Sequence, residues 1–198
     1  MLIIILRQTE FVKIRKAVPQ DANSIANLLL LAMEDIIYEF IGESDKEKAI
    51  AFLIHFAQST GNQYSYQNCY VMVSGAEIIA AANVYDGAKL HAYRQPIADY
   101  IATRFNRELI VEDETQAGEY YIDSIGVSER FQGKGIGSEI LKFLIDEHVI
   151  RRKGILGLLV DKENIKAKKL YLKLGFCTVN EMMLTGKRME HLQISIGS

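Results

Sequence analysis

The pattern of apolar and polar positions in the first third of the chain predicts one strand and two amphipathic helices. Polar and apolar residues alternate over residues 13–18, which is typical of a half-buried strand. A helix is expected behind Pro19, because apolar residues recur there at helical spacing, namely Ile25, Leu28, Leu29 and Ala32. The sequence SDKE at residues 44–47 has the form of a capping box, so it predicts the start of a second helix, which Gly61 and Asn62 should end.

The middle of the chain predicts a hairpin followed by a less regular helix. Two strand-like runs, residues 69–73 and 78–84, are separated by a short turn at Ser74 and Gly75. Residues 90–109 combine helical spacing of apolar residues with Pro96, which would begin or interrupt a helix.

The second half of the chain predicts a regular succession of strands and helices. Residues 119–127 and 155–161 have strand patterns, and residues 137–150 and 164–174 have helical ones. A strand pair after Phe176, ending in residues 189–196, would complete a mixed sheet. No repeat or linker-like segment divides the chain, so we expect a single α/β domain over residues 1–198, with helices covering a sheet.

Composition and charge narrow the possible functions. The chain has 198 residues with 23 Lys+Arg against 25 Asp+Glu, a net charge of −2, which gives no basic surface for nucleic acid or an anionic membrane as the main partner. Cys69 and Cys177 have no CxxC neighbour or histidine at metal spacing, so we expect two buried thiols in a reducing compartment and no metal site. The apolar run at residues 2–6 is too short for a signal peptide or a membrane span, and a cytoplasmic location is expected.

Three alternating glycines, Gly133, Gly135 and Gly137, follow a predicted strand and open a predicted helix. Glycine lets the backbone approach a ligand closely, and the free amides at a helix start attract anions, so a phosphate-bearing ligand fits here. The spacing does not match a P-loop, and the position late in the chain does not match a dinucleotide fingerprint. The glycines alone are also compatible with a turn that binds no ligand.

The sequence QGKGIG at residues 132–137 resembles the [RQ]-x-x-G-x-[GA] acetyl-CoA signature of the GNAT superfamily of N-acetyltransferases. Asn164, Ala167, Tyr171 and the pair Gly175-Phe176 similarly resemble a second family motif. The order of elements is similar from about residue 13 to 194, while the specific motifs occupy residues 119–176. The resemblance implies a mixed, mostly antiparallel sheet with splayed central parallel strands and helices on both faces.

The resemblance also implies how acetyl-CoA would bind as co-substrate. The pantetheine arm would lie between strands 119–127 and 155–161, with Ile125 and Val127 as main-chain partners and Gly126 as a bulge that separates the strands. The pyrophosphate would be bound by the turn residues Gln132, Gly133, Lys134, Gly135, Ile136, Gly137 and Ser138. Asn164 and Lys168 are further candidates, although Lys134, Lys166, Lys168 and Lys169 are equally compatible with a solvated helix face.

The resemblance places the catalytic roles on three residues. Tyr171 occupies the family's general-acid position, although the apolar stripe of Ala167, Leu170 and Leu174 is also consistent with simple packing. Glu119 lies where several family members carry a base. Asp123 shares its strand face and is either the base or the group that orients the amine. Both carboxylates could instead be salt-bridged or face solvent. Three further residues could line the acceptor pocket, namely Tyr120, Tyr121 and Ser124, and no histidine has a clear role.

The function implied is transfer of an acetyl group from acetyl-CoA to a primary amine, on a small molecule or on a peptide N-terminus or lysine, by direct attack. The alternatives are a non-catalytic acyl-CoA-binding or sensing domain and an interaction protein that dimerises through a sheet edge; a homodimer is possible in any case. The acidic residues Glu34, Asp35, Glu39 and Glu43 would favour a cationic amine or are ordinary surface carboxylates. The helical insert at residues 86–113 is expected to cover the acceptor side.

Overall fold

Among the described residues, seven strands form one sheet in the order β1-β2-β3-β4-β5-β7-β6. The strands are β1 (Val12–Lys16), β2 (Cys69–Ser74), β3 (Glu77–Asp86), β4 (Glu119–Val127), β5 (Ile155–Asp161), β6 (Cys177–Leu184) and β7 (Lys187–Ile194). Within the described residues, β4 and β5 pair in parallel and all other neighbours are antiparallel. The structure is a computed structural model that describes residues 12–197, so the apolar run at residues 2–6 lies outside the described residues.

Helices cover both faces of the sheet, as predicted. They are α1 (Ala22–Ile41), α2 (Lys46–Ala57), α3 (Leu90–Phe105), α4 (Ile136–Ile145) and α5 (Ile165–Lys173). One core forms beneath α1, α2 and α3, where Leu29, Phe52 and Ile97 are fully buried. A second forms beneath α4 and α5 and includes Leu144 and Phe176. The apolar stripes read from the sequence thus produce a three-layer α/β domain.

β4 and β5 separate toward their carboxyl ends. Their pairing runs from Glu119 opposite Ile155 to Ile122 opposite Leu158 and stops there. On the other side of β4, the register with β3 shifts so that Asp123 is an extra residue between two paired positions. Because a bulge bends its strand and increases the local twist, this extra residue accounts for the splay.

The prediction that Gly126 forms the bulge is wrong. Gly126 pairs regularly with Ala81 of β3. Glycine is required there because a Cβ would lie 1.8 Å from the carbonyl oxygen of Leu28 in α1. The absence of a side chain therefore allows α1 to pack on the sheet and has no part in separating the strands.

Several element ends differ from the predicted ones. The N-cap of α2 is Asp45 rather than Ser44, since its carboxylate accepts a hydrogen bond from the amide of Lys48. The helix ends at Ala57, before Gly61, because the side chains of Ser59 and Asn62 donate to the carbonyl of Phe56 and satisfy the last turn.

The predicted helix over residues 137–150 ends early, and one predicted buried thiol is exposed. α4 gives way after Ile145 to a π-helical turn, Asp146–Arg151. Cys69 is buried as expected, whereas Cys177 is exposed at the start of β6, an edge strand. Among residues 12–197, no helix is long and apolar enough to cross a membrane.

Candidate active site

A cleft of about 690 Å³ opens where β4 and β5 separate. Its walls come from α1, the segment before β4, the ends of β4 and β5, the start of α5 and the turn between β6 and β7. The backbone of α1 leaves helical geometry at Met33 (φ −139°, ψ 28°), which lies in the cleft wall. A second groove of about 950 Å³, between α1 and Arg130, contains none of the predicted catalytic or cofactor-binding residues, although Glu34 also borders it.

The glycine turn continues from the end of β4 and forms the start of α4. The side chain of Gln132 donates to the carbonyl of Val127 at 3.0 Å and so ties the turn to the strand. Gly133 and Gly135 have left-handed backbones, with φ of +73° and +86°, and a Cβ on either would meet no atom within 4 Å. Gly135 is the N-cap of α4 and supplies no side-chain cap, so the first amides of the helix are available to an anion.

Two of the predicted residues on α5 face the cleft. Asn164 caps the helix by accepting from the amide of Ala167 at 3.1 Å, and it lines the cleft. Tyr171 also lines the cleft and packs edge-on against Phe176, with ring centres 5.9 Å apart. Burial raises the pKa of the Tyr171 phenol, which keeps its proton in place.

Lys168 is engaged within the protein. Its ammonium lies 2.8 Å and 2.7 Å from the two carboxylate oxygens of Glu190, a buried residue of β7. The neighbouring Lys166 and Lys169 are exposed on the same helix.

Glu119 lies below the cleft, where β4 and β5 are still paired, and it is not part of the cleft wall. It is 4% exposed and has three donors: Thr115 at 2.6 Å, Gln193 at 2.8 Å and His191 at 2.9 Å. Burial opposes ionisation of Glu119, but the hydrogen bonds from His191, Thr115 and Gln193 outweigh it and lower its pKa. These contacts are those of a buried hydrogen-bonded cluster with a structural role. The catalytic assignment of Glu119 stays a prediction that the contacts do not favour.

Asp123 lies in the cleft wall beside a carboxylate that the sequence did not single out. Gln63 donates to Asp123 at 2.6 Å and to Glu114 at 2.8 Å. Arg94 of α3 forms an ion pair with Glu114, and the hydroxyl of Tyr85 donates to it at 3.0 Å. The structure thus adds Gln63 and Glu114 to the predicted site residues.

Burial and mutual repulsion disfavour ionisation of both carboxylates. Burial, followed by the charge of Asp123, raises the pKa of Glu114 to about 7, against the opposing effects of Arg94, Tyr85 and Gln63. Burial likewise raises the pKa of Asp123. A carboxylate whose pKa approaches neutrality is suited to accept a proton near neutral pH.

The remaining predicted residues divide between the cleft and the rest of the molecule. Tyr121 and Ser124 line the cleft, whereas the ring of Tyr120 lies 4.5 Å from that of His148, outside it. Glu34 and Asp35 also line the cleft. Glu43 instead pairs with Lys48, and Glu39 is an exposed residue of α1. Within residues 12–197, no group of three or more histidine, cysteine or acidic side chains is arranged to hold a metal.

Comparison with known proteins identifies the family. The model of the acetyltransferase (GNAT) family matches residues 33–176, most of the chain and all of the cleft-forming part of β4, β5 and α5. The chain belongs to the GNAT acetyltransferase family.

Solved structures of GNAT-like proteins share this fold. A structure described as an acetyltransferase is 30% identical, with a TM-score of 0.78, over 93% of this chain and 99% of that one. An N-acetyltransferase from Staphylococcus aureus Mu50 is 22% identical, with a TM-score of 0.82, over 92% and 100%. The yncA protein of Salmonella typhimurium, solved with its cofactor acetyl-CoA, has a TM-score of 0.55 at 17% identity over 95% of each chain.

One curated relative has an assigned substrate. The spermine/spermidine N(1)-acetyltransferase of Bacillus subtilis (strain 168) is 31% identical over 80 residues, which are 39% of this GNAT chain. The match spans about half (52%) of that relative's length.

Proposed function

We propose that this protein transfers an acetyl group from acetyl-CoA to a primary amine by direct attack of the amine. One observation carries the proposal: the splay of β4 and β5 opens a cleft whose wall includes both Tyr171 and Asp123. An acid and a base on one cavity are what acetyl transfer requires, and a protein that only binds acyl-CoA needs neither.

The part that would bind acetyl-CoA is residues 119–176. Bound acetyl-CoA supplies an activated acetyl thioester. The unpaired ends of β4 and β5 leave main-chain groups around Ile125, Gly126 and Val127 that can pair with the pantetheine amides. The amides of the turn at residues 132–138 can bind the pyrophosphate, because Gly133 and Gly135 leave open space on that side. Asn164 lies at the cleft, but Lys168 is paired with Glu190, so the exposed Lys134, Lys166 and Lys169 are better placed for the remaining phosphate.

The proposed chemistry needs two proton transfers. As the bond from nitrogen to the acetyl carbon forms and the carbon–sulfur bond breaks, the amine loses a proton to Asp123, whose raised pKa suits this role. Tyr171 gives its proton to the departing thiolate. Its own pKa is raised by burial, so it is protonated throughout the neutral range.

The charges of the cleft favour a cationic acceptor. Five acidic residues contribute to the wall, namely Glu34, Asp35, Glu114, Asp123 and Asp161, against one lysine, Lys187, which lies 3.2 Å from Asp35. The Bacillus subtilis relative is named for spermine and spermidine, which are aliphatic polyamines. We therefore propose a small aliphatic amine with a second positive charge as the acceptor. We also propose that the helical insert at residues 86–113 covers the acceptor side, which is supported by Val111 lining the cleft.

Thiol release from acetyl-CoA with a panel of amines tests the proposal. The panel should include diamines and polyamines, monoamines of equal length, an amino acid and a lysine peptide, and mass spectrometry should confirm each product. We expect release that depends on the amine and is greatest with the diamines. Acetyl-CoA binding measured by calorimetry without release to any amine would support the non-catalytic alternative.

A further inference from the structure

Glu114 and Asp123 share a single amide group. The side-chain nitrogen of Gln63 lies 2.8 Å from Glu114 Oε1 and 2.6 Å from Asp123 Oδ2. A carboxamide nitrogen carries two hydrogens, so each carboxylate receives one of them. The two acidic groups are consequently neighbours across one atom, in a region where Glu114 is only 6% exposed.

Hydrogen bonds to the main chain of Gln63 fix its position. The main-chain N–H of Gln63 donates to the carbonyl of Tyr93 in α3 at 3.1 Å. The main-chain carbonyl of Gln63 accepts from the side chains of Asn83 at 3.0 Å and Asn68 at 3.2 Å. Because these partners lie on α3, β3 and the loop before β2, the bridge between the two carboxylates is built into the fold.

The surrounding charges stabilise one negative charge better than two. Arg94 contacts Glu114 and also reaches Asp113 at 3.2 Å, which divides its charge between them. The other titratable groups that face the pair or its cation are the phenols of Tyr64, Tyr85 and Tyr121, the buried thiol of Cys69, and His91, which pairs with Asp113. Burial and the nearby carboxylates raise the pKa of each of these phenols well above its ordinary value, so they stay neutral. Two carboxylates this close resist losing both protons.

We propose that Glu114 and Asp123 hold one proton between them at neutral pH, and that Glu114 is a positioning residue that makes Asp123 a better acceptor of the amine proton. Both residues line the cleft, but the carboxylate of Glu114 is engaged by Arg94 and Tyr85, and the side chain of Asp123 is the more exposed of the two, so Asp123 is the one that would meet the amine. The consequence for catalysis rests on the proposed acetyl transfer. The sharing of the proton is a property of the free protein and can be measured without substrate.

Titration of the carboxyl carbons by NMR in the free, isotope-labelled protein tests the pair directly. In the wild type we expect one of the two groups to titrate near pH 7. Glu114→Gln should lower the midpoint of Asp123 by about one pH unit or more, because a neutral neighbour replaces a charged one. Gln63→Met should shift both midpoints upward, because each carboxylate loses a hydrogen bond to its charged form. Titration of both wild-type groups below pH 5 would overturn the proposal.

The pH dependence of kcat/KM extends the test to catalysis. Glu114→Gln should move the acidic limb to lower pH, and Gln63→Met should move it to higher pH. Glu108→Gln, an exposed carboxylate of the same segment, is the matched control and should leave the limb in place. Variants that lose rate or stability while the limb stays fixed would reduce Glu114 to a structural residue. If the wild type acetylates no amine, the proposed function fails, and the titration of the free protein still decides whether the proton is shared.

Discussion

Replacing Gly157 by alanine tests whether the hydrogen bonds of Glu119 to His191 and Gln193 stabilise the fold. Gly157 lies in β5, between Glu119 of β4 and the partners of Glu119 on β7. A Cβ at this position would lie 1.9 Å from Glu119 Oε2 and 3.0 Å from His191 Nε2. The carboxylate oxygen cannot stay where it is, and it can move only by leaving His191 and Gln193.

The two hydrogen bonds that would be lost, at 2.9 Å and 2.8 Å, both involve an ionised acceptor. Such bonds contribute about 1.5–3 kcal/mol each to stability. Alanine in a strand gains roughly 0.5–1 kcal/mol over glycine. With partial relaxation of the side chain, we expect Gly157→Ala to reduce the free energy of unfolding by about 2–4 kcal/mol. The strand preference alone predicts the opposite sign.

Urea unfolding at neutral pH measures the difference, and a double-mutant cycle isolates its cause. In a Glu119→Ala background the carboxylate is gone, so adding Gly157→Ala should be neutral or stabilising. A Gly157→Ala protein as stable as the wild type would show that Glu119 keeps its partners by moving, and the reasoning above would be refuted.

The hydrogen bonds of Glu119 also predict how the free energy of unfolding depends on pH. Because the folded-state pKa of Glu119 is lowered, its stabilisation is fully present above the unfolded pKa of about 4.3 and is lost as the pH falls through the folded value. The stability difference between wild type and Gly157→Ala should therefore shrink below about pH 4.3.

Three further predictions concern the cofactor turn, the proposed acid and a buried histidine. Tyr171→Phe should retain acetyl-CoA affinity, because the ring still packs on Phe176, and lose turnover by roughly 10²–10⁴, measured by thiol release; an unchanged rate would leave Tyr171 as a packing residue. Gly135→Val should abolish the stabilisation by acetyl-CoA, expected at about 2.7 kcal/mol when the ligand is a hundredfold above its Kd. Gly197→Val, at an equally left-handed glycine that follows β7 at the end of the sheet away from the cleft, should retain it, and a full shift in the Gly135 variant would contradict the assignment. Burial lowers the pKa of His148 to about 4, so stability should fall as the pH drops from 6.5 toward 4, and His148→Gln should remove that part of the pH dependence in urea titrations.

Some of the fold could be predicted because it rests on local pattern. The bounds of β4 and β5 agree with the predicted residues 119–127 and 155–161, since β5 is a nearly continuous apolar run and β4 is rich in aromatic and β-branched residues. The bulge at Asp123 could not be found in this way, because it is defined by the pairing of β4 with β3. The need for glycine at Gly126 and Gly157 arises from distant residues that approach them in space.

In the candidate site, too, some residues can be found from a local motif and others only from the tertiary structure. Tyr171 and Asn164 belong to a helix with a recognisable motif, and both line the cleft. Glu114 and Gln63 lie in connecting segments without periodicity, separated by 51 positions in sequence. What brings them together is Arg94 and the main-chain bonds of Gln63, which no spacing rule describes. The acidic run at residues 112–114 is the one local signal, and it is equally typical of an exposed loop.

The separation of the strands, rather than residue type, distinguishes the two carboxylates of β4. Glu119 and Asp123 would share a face in a regular strand. Glu119 lies where β4 and β5 are paired, and its three donors lower its pKa, so it binds a proton weakly. Asp123 lies beyond the last pair, in the bulge, where it faces the cleft and burial raises its pKa. A base must reach the substrate and hold the proton it takes, and both conditions are met at Asp123 because the sheet opens there. The extra residue that splays the strands for the cofactor thereby also sets the position of the proposed base.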